Sequence, residues 1–211
     1  IIPCYNEINF LETVVKNVLN TDIVDKQLII VDDFSIDGTK EILKEKIEPL
    51  VDKIIYHEKN KGKGACIQSA LSFIKGDIIL IQDADLEYNP SDHQKLIKVM
   101  IDSNADVVYG SRVSKEKENN LNLYRANRIA NYILTVMTNL LTGLKISDME
   151  TGLKCFKKKA IQSIKLIENR FGFEPEVTIK LAKRKFKFKE IGISYTPRTY
   201  NETIRTYICI Y

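Results

Sequence analysis

The chain has 211 residues, 44% of them apolar, with a net charge of +4. That length supports one large domain or two small ones, and that apolar content fills a sizeable core. Lys and Glu interleave along most of the chain, so the mild positive excess gives no reason to expect nucleic acid; the basic clusters at 157–159 and 180–189 read as solvated faces, with anionic lipid headgroups as the alternative partner.

In chain order, "IIPC" (1–4) reads as the remnant of a strand. The sequence opens inside it, with Ile rather than Met, so a trimmed start is expected. Asn6 and Glu7 follow it, and helical periodicity covers 9–20. "QLIIVDD" (27–33) is a second strand, ending in Asp32 and Asp33. Ser35 or Asp37 can cap the next helix, 37–47. Capping explains Asp37 but not two adjacent acids at a strand end; an acceptor for a nucleobase N–H or a ribose hydroxyl would explain them.

A third strand, "KIIYHE" (53–58), leads into "NKGKGACIQSAL" (60–71). Gly62 and Gly64 let backbone approach a ligand closely, and the helix over 63–75 offers free N–H groups and the positive end of its dipole. Lys61 and Lys63 add charge. An ordinary loop-to-helix turn is the alternative. The fourth strand, "DIILIQD" (77–83), ends in Asp83, Asp85 and Glu87. Residues two apart in extended chain point the same way, so three carboxylates can face one point until Asn89-Pro90 turns the chain. Hard oxygen ligands so grouped suit Mg²⁺ or Mn²⁺, and without a cation they would raise one another's pKa. A turn with a capping Asp and surface charge is the plainer reading.

A helix over 91–103 and a strand "DVVYGS" (106–111) precede Arg112. The stretch 124–144 is a helix with apolar residues on more than one face, either a core helix or one lying against a membrane surface. Its most apolar part, 132–144, is too short and too polar to cross a bilayer. Asp148 and Glu150 stand in "SDMETG". The last helix, 171–185, starts around Pro175, and Glu174 and Glu176 suit its positive end. His57 and His93 have no partners at ligand spacing and read as structural or surface residues. Cys4, Cys66, Cys155 and Cys209 lie far apart with no CxxC pair, which fits a reduced intracellular protein with structural thiols. No signal peptide, repeat or linker is visible.

Strands without polar alternation, separated by helices, mean an α/β fold with a mainly parallel sheet covered on both faces. The polar residues cluster at C-terminal strand ends, where loops and helix N-termini converge in open α/β sheets, so one assembled site is expected there.

The motifs "IIPCYNE", "VDDFSIDGT", "NKGKG", "DADLEYNP", "YGSR", "DMETGLKCF" and "FGFEPE…ISYTPRTY" occur in that order, to about Tyr200. Together they resemble the family 2 glycosyltransferases, especially the polyprenyl-phosphate (dolichol-phosphate) mannosyl- and glucosyltransferase branch. The resemblance implies a GT-A fold, a single Rossmann-like α/β/α sandwich forming one catalytic domain over 1–211. It implies a nucleotide-sugar donor (UDP- or GDP-linked) and a divalent metal, Mg²⁺ or Mn²⁺. It also implies a lipid-phosphate acceptor at the membrane surface, and a cytoplasmic protein peripheral on that face. Carried across, it gives Pro3, Tyr5, Glu7, Val31, Asp32 and Asp33 to the nucleobase and ribose pocket. Lys63 and Ala84 contact the donor. Asp85 ligates the metal, Asp83 holds ribose or metal, and Glu87 is a third ligand. Arg112, Arg125 and Arg198 lie near phosphates, which a fork of donors suits. Glu174 and Glu176 fall where related enzymes place acceptor-side acids.

The implied reaction is inverting displacement at the anomeric carbon of the nucleotide-sugar. A lipid phosphate, with a pKa of about 6, needs no strong base; a sugar hydroxyl in a surface polysaccharide would need one. The match departs at positions 203–205, Thr-Ile-Arg, where the branch carries Gly and two lysines, and at Gly152 and Leu153. A non-catalytic nucleotide-sugar binding module is therefore a further alternative.

Overall fold

The computed structural model of the chain describes residues 1–113 and 125–198, apart from the side chains of 125–127. The expectations for the Arg125 side chain, for the tail at 203–205 and for Cys209 lie outside the described residues.

Strands β1 (Ile2–Cys4), β2 (Ile29–Asp32) and β3 (Lys53–Tyr56) pair in parallel. Strands β4 (Ile78–Ile81), β5 (Val107–Ser111), β6 (Lys154–Lys157) and β7 (Phe188–Gly192) form a second set in the order β4-β6-β5-β7. In it β6 runs antiparallel to β4 and β5, while β5 and β7 are parallel. Ile1 joins the two sets: its N–H donates to the Leu80 carbonyl at 2.8 Å and its carbonyl accepts from the Gln82 N–H at 3.0 Å. The strand order is thus β3-β2-β1-β4-β6-β5-β7, with β6 alone reversed among the described strands. The expected mainly parallel α/β sheet is present.

The helices sit where the periodicity places them, a few residues shorter: α1 (Leu11–Leu19), α2 (Thr39–Ile42) continued by a π turn, α3 (Lys63–Leu71), α4 (His93–Asp102) and α5 (Arg125–Thr142). A short α6 (Lys158–Gln162) and α7 (Phe173–Lys183) complete the order. α7 starts two residues before Pro175, which sits within the first turn and so loses no intrahelical hydrogen bond.

Two strands lie outside the apolar runs that the sequence singles out. β6, "KCFK", has lysines at both ends. Lys154 is nevertheless fully buried: its ammonium donates to the Met149 and Thr151 carbonyls and lies 4.5 Å from the Tyr109 ring centroid. Burial brings its pKa down to about 8, against the opposing pull of Glu174. β7 begins at the end of the basic cluster at 180–189 that reads as a solvated face. Phe188 turns inward and stacks edge-on against Tyr109 at 5.7 Å, while Lys187 and Lys189 stay exposed. Cys4, Cys66 and Cys155 are buried free thiols.

Candidate functional site

Since β1 to β5 all run the same way, the segments following them meet at one edge. The first two lock together. Asn6, at φ 55°, donates its N–H to Ser35 Oγ and accepts from the Ile36 N–H, both at 2.9 Å. The Glu7 N–H donates to Thr39 Oγ1 at 2.9 Å, and the Ile8 N–H to Asp37 Oδ2 at 3.1 Å. Asp37 Oδ1 meanwhile accepts from the Thr39 N–H at 3.0 Å, from one position ahead of Gly38, which takes the N-cap place expected of Ser35 or Asp37. "SIDGT" is a clamp that sets the geometry of "YNE".

The adjacent acids divide their work. Asp33 is fully engaged: it accepts from the Lys61 N–H at 2.9 Å and the Gly62 N–H at 2.6 Å, and pairs with His57 Nδ1 at 2.6 Å. His57 Nε2 meets Ser69 Oγ at 2.9 Å. His57, without partners in the sequence, thus gains three in the fold: Asp33, Ser69 and, near by, Cys66. Asp32 is buried with Oδ1 unpartnered among the described residues, and burial raises its pKa. Val31 pairs with Pro3 in the sheet, but its side chain is sealed in the core with Ile29, Cys66 and Ala70. Ala84 is also buried.

The glycines of "NKGKG" serve a different neighbour from the ligand expected. A Cβ on Gly62 would lie 2.5 Å from the Asn169 carbonyl, and one on Gly64 would lie 2.2 Å from the Glu168 carbonyl. The Ala65 N–H at the start of α3 already donates to Asn169 at 3.0 Å.

Two of the carboxylates after β4, Asp83 and Asp85, each face a cation. Lys63 Nζ stands 2.8 Å from Asp83 Oδ1 and 3.2 Å from Glu174 Oε1. Burial alone would lower the Lys63 pKa, but Asp83 and Glu174 outweigh it and raise it. Arg198 Nη2 lies 2.5 Å from Glu7 Oε1 and 3.4 Å from Asp85 Oδ2. Even so, burial, then the charges of Asp83 and Glu87, push the Asp85 pKa well above its ordinary value. Glu87 turns away from that point. It accepts from Tyr195 Oη at 2.9 Å and the Arg198 N–H at 3.1 Å, and its carbonyl accepts from the Thr196 N–H at 2.9 Å. Glu87 therefore straps residues 195–198 across the site and aims Arg198. Neither Glu87 nor Tyr195 shows this partnership at sequence level, since 108 residues separate them.

Arg112 is committed to Asp148, with Nε at 2.8 Å and Nη2 at 2.7 Å. Asn131 Nδ2 adds a third contact to Asp148 at 3.0 Å. Burial opposes the Asp148 charge, but these donors win and hold its pKa below the usual value. Glu190 in β7 accepts from the Ser147 and Asp148 N–H groups and so fixes that loop. The two acids of α7 part company. Glu176 caps the Ile167 and Glu168 N–H groups and pairs with Lys180. Glu174 is 4% exposed and stays in the site beside Lys63, with Oε2 unpartnered among the described residues. Glu150 lies close enough that burial, then the Glu174 charge, raise its pKa. Gly152 packs hard against Asp83: an added Cβ would lie 1.9 Å from Asp83 Oδ2. His93 is structural, buried and bonded to Gln82 at 2.8 Å, with its pKa lowered by burial to about 4.

The arrangement is an acidic hollow lined by Glu7, Asp83, Asp85 and Glu174, each held by an internal cation. It offers hard oxygen ligands and phosphate-binding cations side by side.

The pattern of Glycosyl transferase family 2 matches residues 1–165. A UDP-N-acetylglucosamine–dolichyl-phosphate N-acetylglucosaminyltransferase of Methanococcus voltae is 32% identical over 92% of this chain and 83% of its own length. An undecaprenyl-phosphate 4-deoxy-4-formamido-L-arabinose transferase of Edwardsiella ictaluri is 26% identical over 96% of this chain and 61% of its own. Among solved structures, glucosyl-3-phosphoglycerate synthase from Mycobacterium tuberculosis, crystallised with Mn²⁺, UDP and phosphoglyceric acid, superposes with a TM-score of 0.70. It covers 96% of this chain and 71% of that one; at 17% identity the likeness speaks to the shared fold.

Proposed function

The chain belongs to glycosyltransferase family 2, and from that premise we propose that it moves a hexose from a nucleotide-sugar to a polyprenyl or dolichyl phosphate, with inversion at the anomeric carbon. The observation that carries the reading is the cation pairing at the end of β4: Lys63 on Asp83 and Arg198 on Asp85. Carboxylates meant for a divalent cation and its diphosphate must be charge-balanced when those are absent. The relatives from M. voltae and E. ictaluri, named for transfer on dolichyl and undecaprenyl phosphate, support the acceptor class.

The donor set fits a divalent metal. Asp85 is buried and crowded by three further carboxylates, Asp83, Glu87 and Glu7, which together raise its pKa, a repulsion that Mg²⁺ or Mn²⁺ would relieve. Asp85 and Asp83 would hold the ion, with Glu87 as a further ligand only on leaving Tyr195. Bound there, the ion would draw charge from the leaving diphosphate. Pro3, Tyr5, Glu7 and Asp32 take the nucleobase and ribose; Asp33 and Val31 shape that pocket from behind. Arg198 swings from Glu7 and Asp85 to the diphosphate, where a planar fork of donors favours the charge that grows in the transition state. Arg112, oriented by Asp148, meets the acceptor phosphate. A lipid phosphate arrives ionised, at a pKa of about 6, so no residue need deprotonate it.

One observation favours a second acceptor class, a sugar hydroxyl: Glu174 is buried in the site with one oxygen unpartnered among the described residues. It would then be the base.

The test is a thermal-shift panel of UDP- and GDP-sugars, with and without Mn²⁺. A donor at a hundredfold excess over Kd is expected to add about 2.7 kcal/mol of stability. Asp85→Ala should abolish the Mn²⁺-dependent part. No shift with any nucleotide-sugar would overturn the reading, and Glu174→Gln that abolishes transfer would move the acceptor to a hydroxyl.

A further inference from the structure

Two tyrosines tie together the segments that build the site. Tyr88, on the turn after β4, and Tyr195, on the strap, meet in an isolated antiparallel bridge with their ring centroids 5.3 Å apart. Tyr88 Oη accepts from the Gly152 N–H at 2.8 Å, which fastens the pair to the loop entering β6. Tyr195 is engaged at both ends. Its Oη donates to Glu87 Oε2 at 2.9 Å, and its ring centroid lies 5.4 Å from the guanidinium carbon of Arg112. Arg112 therefore has one edge, Nε and Nη2, on Asp148 and one face on Tyr195. Edge and face together fix both the direction and the plane of the guanidinium.

We propose that Tyr195 is a positioning residue for both arginines of the site, through two different parts of one side chain. Its hydroxyl holds the strap that carries Arg198, and its ring sets the plane of Arg112. The ring acts because the negative face of an aromatic group attracts a guanidinium and stacks flat against it. The Arg112 side chain is 17% exposed, so little water competes for that face. The hydroxyl acts at the other end. Arg198 follows three residues along the strap, and the bond from Tyr195 Oη to Glu87 steadies the segment from which Arg198 reaches Glu7 and Asp85. Phenylalanine would supply the ring without the hydroxyl, and an aliphatic residue neither. The two duties are therefore separable at a single position, which a residue that only filled space would not allow.

The inference rests on the reading above, with Arg198 at the donor diphosphate and Arg112 at the acceptor phosphate. It adds the residue that sets one arginine relative to the other.

The experiment is calorimetric titration of the 211-residue chain with UDP and with GDP, each with Mn²⁺, and separately with geranyl phosphate as a short prenyl phosphate. Tyr195→Phe removes the hydroxyl and keeps the ring. It is expected to lower nucleotide affinity about fivefold, with geranyl phosphate bound as in wild type. Tyr195→Leu removes both parts and is expected to weaken geranyl phosphate about fivefold as well. Pentafluorophenylalanine placed at position 195 keeps the shape of the ring and reverses the charge on its face. It is expected to bind geranyl phosphate more weakly than Tyr195→Phe at the same melting midpoint, a difference that packing alone would not produce. It also answers the question if the leucine variant does not fold. Nucleotide affinity at the wild-type level in Tyr195→Phe overturns the proposal. So does a fluorinated ring that holds geranyl phosphate as well as the phenylalanine does. Failure of the reading beneath it shows in wild type itself, which then takes up no nucleotide or no geranyl phosphate, and the inference falls with it.

Discussion

Gly152 decides how close the 146–153 loop comes to Asp83. Any side chain there puts a carbon 1.9 Å from Asp83 Oδ2, and the carboxylate, as the end of a side chain, is what moves. Gly152→Ala is expected to weaken Mn²⁺-dependent donor binding about tenfold, ~1.4 kcal/mol, with the melting midpoint nearly unchanged; calorimetric titration beside a melting curve checks it. Asp148 works differently, because its charge is paired and buried. Its folded pKa lies below the unfolded value of about 3.9. The folded state therefore binds this proton more weakly, and the pair's contribution is present above pH ~4 and lost as pH falls below it. Asp148→Asn leaves Arg112 with an uncompensated buried charge and is expected to cost about 3–5 kcal/mol near neutral pH. Part of the acid limb between pH ~4 and the lower folded value should vanish with it, as urea titrations across pH would report. At this scale much could be read in advance. The acids after β4 announced themselves by spacing, and Glu7 by its motif. What stayed hidden was which of two like neighbours does what. Glu174 faces the hollow and Glu176 caps a loop; Asp33 is spent on His57 and backbone, while Asp32 keeps an oxygen free. Those divisions depend on side-chain direction, which a short motif does not encode.

Between elements, the strap at residues 195–198 is the part most open to test. Glu87 anchors it by Tyr195 Oη and the Arg198 N–H, beside the Ser194 N–H bond to Asp92, and so helps Arg198 reach Glu7 and Asp85. Glu87→Gln keeps the size and weakens both bonds. It is expected to reduce donor affinity several-fold, a loss of about 1 kcal/mol, and to speed protease cleavage near Tyr195. A wild-type cleavage rate in the variant would remove Glu87 from that role. Elements with a clean apolar run or a long helical period were legible: β2, β4, β5, α1 and α4 lie within the expected spans. β6 and β7 were not, since each mixes lysines with apolar residues. A lysine on a buried strand, stabilised by carbonyls and a ring as Lys154 is, looks in sequence like a loop residue. α5 was half legible. Its apolar residues on more than one face pointed to an unusual setting, but only the contacts of Asn131, Thr135 and Asn139 reveal that the polar side is the inner one.

For the molecule as a whole, the order β3-β2-β1-β4-β6-β5-β7 sets what can meet at the site. Five parallel strands and their loops were foreseeable from the alternation of apolar runs and helical periods; the single reversed strand was not. A parallel sheet supplies its working edge only with segments that leave strands. Reversing β6 delivers one that enters a strand, and that segment carries Asp148, Glu150 and Gly152 up to Asp83 without a crossover. On the function proposed above, the consequence is a division of labour along the gene: the stretch through β5, joined by Arg198, would handle the nucleotide, and the stretch from α5 into β6 would handle whatever receives the sugar. A lineage can rewrite the second and change its product while the first, and its energy source, stays as it was.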